Sequence, residues 1–156
     1  MDIETIIKDE IASLNHKIKG TSFLEILKFN LLERIASNSD ETKDKELNNL
    51  KNNFKFEIEK NNLIISIFCQ TKSAQQLNKL LDKNLLIISL SGTITIDIFI
   101  NSDSKNKQKI VIGSKMGITL PRNTLVNINL HENSYILKVE QIEQIEDDSD
   151  IEKTKI

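Results

Sequence analysis

Cysteine is almost absent from this chain, with Cys69 the only one in 156 residues, so no internal disulfide can form. Cys69 sits in an apolar run with no flanking histidine or helix N-terminus to lower its pKa, and it reads as a small hydrophobe rather than a reactive thiol. Tryptophan is missing, and Pro121 is the only proline. The four glycines, at 20, 92, 113 and 117, never cluster, which excludes the glycine-rich loops that cradle phosphates. Histidine occurs only as His16 and His131, too few to build a site from several imidazoles.

Long hydrophobic runs are missing too. Leu63–Phe68 and Leu85–Leu90 fall far short of the ~20 residues that span a bilayer. The start, Met1-Asp2-Ile3-Glu4, is acidic and does not read as a signal peptide. The expectation is a cytoplasmic protein with no membrane contact. A surplus of one charge is lacking, since 21 Lys and Arg face 23 Asp and Glu for a formal net charge of −2. The chain therefore has no global electrostatic case for binding nucleic acid. Lys105, Lys107 and Lys109 make a local basic stretch, but no aromatic is interleaved to stack bases, and it reads as a solvated loop.

What is present is periodicity. Ile3, Ile7, Ile11, Leu14 and Ile18 recur at steps of three and four, which predicts an amphipathic helix ending at Gly20. Ser22 and Glu25 stand at capping-box spacing ahead of Leu24, Leu27, Leu31 and Ile35, predicting a second helix. Glu41 to Asn53 is mostly polar, with Leu47 and Leu50 at helical spacing, and reads as a short third helix on the surface.

From Phe54 the period changes from helical to two. Strands are expected at 54–59, 63–69, 85–90, 93–100, 109–113, 117–120, 124–130 and 134–142. The second of these is apolar on both faces and reads as central. Turns fall at Lys60-Asn61-Asn62, Ser91-Gly92, Ser114-Lys115-Met116, Pro121-Arg122-Asn123 and His131-Glu132-Asn133. Residues 71–82 fit a short helix or an irregular strand equally well, and 101–108 reads as a polar loop. About eight short antiparallel strands at close spacing argue for a β-sandwich or jelly-roll barrel. The organisation expected is a helical region over 1–53, a β-barrel over 54–142 and an acidic flexible tail over 143–156, a length of about one domain.

Two segments of the β region resemble the cupins. Leu85 through Ser91-Gly92-Thr93 to Ile98 is similar to that family's strand–turn–strand ending in a glycine, and Gly117-Ile118-Thr119-Leu120-Pro121 is similar to its later segment. The resemblance implies a cupin-like jelly-roll barrel. Metal-bearing cupins hold an ion with two histidines and a glutamate before the glycine and a third histidine five residues after the proline. Here the glutamate position holds Leu85, and the two histidine positions hold Lys79 and Leu81, or Asn78 and Leu80. The last ligand position holds Val126. None of these side chains supplies the imidazole or carboxylate donors that a first-row metal needs, so neither a metal nor a cofactor is expected.

Other candidates are few. Some metal-free cupins acting on nucleotide-linked sugars use a His–Asp pair and a Tyr, and His131, Glu132 and Tyr135 are the nearest equivalent. His131 nevertheless reads as an ordinary turn histidine. His16 falls off the apolar stripe of the first helix, and Arg122 stands where a solvated loop arginine or an anion contact would both fit. A cyclic-nucleotide-binding jelly roll would show Gly-Glu-Leu followed by Arg-Ala, and neither occurs.

No catalytic residue is assigned. The function expected is a metal-free cupin-like binding or protein-interaction module without catalytic activity, working as a homodimer. Its barrel would hold a small organic ligand or only its own side chains, and its helices would recruit a protein partner. The alternatives are a metal-independent sugar-nucleotide isomerase or epimerase, and a regulator whose helices are the working end.

Overall fold

Most strands here alternate apolar residues with a second set, and over 63–70 and 84–91 the second set is largely apolar as well. That two-sided greasiness determines the architecture. A computed structural model describes residues 3–13, 20–37, 55–60, 62–100 and 106–142. Two helices, α1 (Ile3–Ser13) and α2 (Thr21–Ser37), precede nine strands: β1 (Lys55–Lys60), β2 (Leu63–Gln70), β3 (Ala74–Leu80), β4 (Asn84–Ser91), β5 (Ile94–Phe99), β6 (Lys107–Ile112), β7 (Met116–Leu120), β8 (Leu125–Leu130) and β9 (Ser134–Gln141).

The strands form two antiparallel sheets, ordered β1-β2-β9-β4-β7 and β3-β8-β5-β6. From β2 onward the chain crosses from one sheet to the other at every connection except the β5–β6 hairpin. This interleaving is the jelly roll.

The larger sheet is apolar on both faces because it has two partners. Its inward side chains, among them Phe68, Leu85, Ile87 and Ile136, meet Ile94, Ile96, Val126 and Ile128 of the smaller sheet in one core. Its outward side chains, Ile65, Ile67, Leu86, Ile88, Tyr135, Leu137 and Val139, meet Ile6, Ile7, Ile11, Leu24, Leu27 and Leu31 of the helices in a second core. One strand thus feeds two cores through its period-two alternation. β2 lies between β1 and β9, as its two apolar faces required.

The turns use left-handed backbone where the sequence supplies asparagine. Asn62, Asn123 and Asn133 have φ of 62°, 67° and 59°, and Lys115 has 64°. Asparagine tolerates this region because its short polar side chain can bond locally. Gly92 has φ of 93°, and a Cβ there would lie 2.8 Å from the Ser134 Cα, so both conformation and space demand glycine.

Several expectations are resolved or corrected. Of the two readings left open for 71–82, the irregular strand is the one found: it is β3, with a register shift between Gln76 and Lys79. At the shift Asn78 turns to φ 53°, and its N–H donates to Asn127 Oδ1 at 2.8 Å in place of a backbone carbonyl. With β3 the described residues carry nine strands, in line with the eight or so expected. β6 starts two residues earlier than expected, because Lys107 and Gln108 pair with Phe99 and Ile98 on an edge strand whose polar side chains hid the pattern.

The proposed capping box does not frame α2. The helix begins at Thr21, the Gly20 carbonyl accepts from the Phe23 N–H at 3.2 Å, and the Glu25 carboxylate is taken by Lys28 at 2.9 Å. The first helix is described only to Ser13. His16, the expected third helix over 41–53, Lys105 and the tail over 143–156 lie outside the described residues.

Candidate functional site

The natural place for chemistry in a jelly roll is the space between its sheets, and here aliphatic side chains of both sheets pack into it. Leu81, Leu85 and Val126 are 3%, 5% and 0% exposed and belong to one cluster with Ile87, Ile96 and Ile136. Leu81 is held by backbone bonds to the start of β8: its N–H donates to the Thr124 carbonyl at 3.0 Å, and its carbonyl accepts from the Asn123 N–H at 2.7 Å. Lys79 stands opposite Val126 in register. Leu81, Leu85 and Val126, counted from Gly92 and Pro121 in one of the two registers of the resemblance, thus share one core between the sheets. The other register, through Asn78 and Leu80, falls on exposed residues, with Leu80 59% exposed. Among the described residues no group of three His, Cys, Asp or Glu side chains lies within reach of one metal ion.

A group of half-buried polar side chains lies elsewhere, and the alternation of β5 and β8 shows where. Ile94, Ile96, Val126 and Ile128 point inward, so Thr95, Asp97, Asn127 and Asn129 occupy the outer face of the smaller sheet. Thr95 pairs with Asn129 across the ladder and Asp97 with Asn127. Thr95 Oγ1 lies 2.9 Å from His131 Nε2. Asn127 Nδ2 donates to Asp97 Oδ2 at 3.4 Å, and Lys107 Nζ approaches the same oxygen at 3.9 Å. Asp97 Oδ1 and Asn129 Oδ1 are closed to solvent and have no hydrogen-bond partner among the described residues. Sequence reading missed this cluster, because its only signal is polar residues at every second position, which also marks an ordinary wet sheet face.

No family model matches the chain, and no curated protein matches it. Solved structures do. A cupin superfamily protein from Desulfitobacterium hafniense shares 16% identity at a TM-score of 0.46, over 58% of this chain and 80% of that one. A conserved protein of unknown function from Streptococcus pyogenes shares 14% at 0.46, over 60% and 78%. Hazelnut vicilin, from Corylus avellana, shares 18% at 0.45, over 55% and 24%. Likeness this distant carries no argument about what this chain does, and the jelly roll stands on its own strand order.

The remaining candidate residues do not converge. His131 is tied to the outer face through Thr95, and Glu132 is exposed. Tyr135 is 1% exposed and belongs to the core beneath the helices, opposite Cys69 in register. Neither His131 nor Tyr135 faces the barrel interior. Cys69 is half-buried and packs against the same helix-side core, in keeping with its reading as a small hydrophobe. Arg122 is exposed in its turn, with its N–H donating to Asn84 Oδ1 at 2.8 Å. Lys107 and Lys109 are exposed on β6.

One titratable group stands out at the junction of helix and sheet. The Lys28 ammonium beside Glu25 holds its carboxyl below the usual carboxylate range, with partial burial opposing. The Thr119 hydroxyl of β7 lies close enough to favour the charged carboxylate, although it makes no well-formed hydrogen bond. The Glu25–Lys28 pair is internal to α2, at i and i+3, and sits where that helix meets β7. No helix among the described residues is long and apolar enough to cross a membrane.

Proposed function

We propose that the protein is a metal-free, non-catalytic cupin-like module that acts in the cytoplasm by binding rather than by turnover, and that it works as a homodimer. The observation that carries this reading is the packing of Leu81, Leu85 and Val126 into one aliphatic core at positions where the cupin resemblance calls for metal donors. Aliphatic side chains offer no lone pair to an ion, and a core this closed leaves its own side chains as the barrel's contents. Binding then falls to outer surfaces. The inner faces of both helices are spent on the larger sheet, whereas Leu77, Leu80 and Val111 on the edge strands of the smaller sheet are 64%, 59% and 56% exposed. Leu77 and Leu80, together on the β3 edge, would give a second copy an apolar contact.

No specific observation favours the isomerase or epimerase reading, which needs His131 and Tyr135 to face the barrel interior. Native mass spectrometry of the protein purified in the presence of manganese and zinc tests the proposal. A dimer mass without metal is the expected result. A stoichiometric ion would overturn the metal-free reading, and a monomer across the micromolar range would overturn the dimer.

A further inference from the structure

We draw no further inference here: the strongest candidate, the polar side-chain cluster of Thr95, Asp97, Asn127, Asn129 and His131 on the outer face of the four-stranded sheet, carries nothing, because the two unpartnered oxygens that would call for a ligand, Asp97 Oδ1 and Asn129 Oδ1, are closed to solvent and nothing in the structure shows what covers them.

Discussion

Arg34 of α2 reaches across to Glu10 of α1, with Nη1 3.1 Å from Oε1, and its second nitrogen lies 3.8 Å from Asp9 Oδ2. The Glu10 side chain is 11% exposed, the Arg34 side chain 31% and the Asp9 side chain 50%, so one guanidinium serves one sheltered and one wet carboxylate. Removing the guanidinium leaves the sheltered charge without its partner. Arg34→Met is therefore expected to cost about 1–3 kcal/mol in urea unfolding. Asp9→Asn, at the wet carboxylate, should cost no more than about 0.5 kcal/mol. Equal effects from the two substitutions would show that the pair adds nothing beyond surface charge.

The interior makes a sharper contrast. Leu85→Ala removes side-chain volume from a closed core and should lower stability by about 2–5 kcal/mol, whereas Leu80→Ala, at an exposed edge position, should change it by less than about 0.5 kcal/mol. Thermal unfolding of the two variants checks which register of the β3–β4 segment faces inward. A large loss from Leu80→Ala with little from Leu85→Ala would reverse the assignment.

Gly92 and Gly20 separate strain from space. Both have positive φ, 93° and 71°, but a Cβ at Gly20 would meet nothing within 4 Å, while one at Gly92 would strike the Ser134 backbone. Gly20→Ala should cost about 1–2 kcal/mol from backbone strain alone. Gly92→Ala carries that strain and the clash together and should shift the urea midpoint further, with β9 forced away from the turn. Comparable midpoints would mean that Ser134 yields at no cost.

Glu25 gives a pH signature. Its carboxyl is held below the usual carboxylate range, so the unfolded chain binds this proton more readily than the folded one. The interaction with Lys28 then contributes fully above the ordinary carboxylate pKa and is lost as pH falls through the lowered one. Because the Glu25 side chain is half exposed, Glu25→Gln should cost at most about 0.5 kcal/mol at neutral pH. That difference should vanish in strong acid. Urea midpoints that differ equally at both pH values would exclude the ion pair as the cause.

How much of this was legible in the sequence depended on what each residue's neighbours were. The Ile94–Ile96–Ile98 alternation and the two apolar faces of Leu63–Cys69 were readable because each strand's own pattern records both of its environments. The Asn62, Asn123 and Asn133 turns were placed correctly even though asparagine is abundant here, because each falls between two periodic runs. β3 could be read only as one of two alternatives, because Leu77 and Leu80 sit on an edge where the register slips and the period breaks. Leu81, Leu85 and Val126 were found by counting from Gly92 and Pro121, but their meeting in one core is a tertiary fact that no local pattern states. The face carrying Asp97 and Asn129 was invisible for a different reason: solvent exposure and a buried polar cluster leave the same alternation in the sequence.

The two-sided larger sheet has a consequence for anyone wishing to express the barrel by itself. A gene fragment starting at residue 54 would encode a sheet whose outer surface offers Leu63, Ile65, Ile67, Leu86, Ile88, Leu137 and Val139 to water, an aliphatic field that the helices cover in the whole chain. Such a product should collect in inclusion bodies. The minimal expressible unit therefore includes both helices, and trimming from the amino end cannot proceed through them.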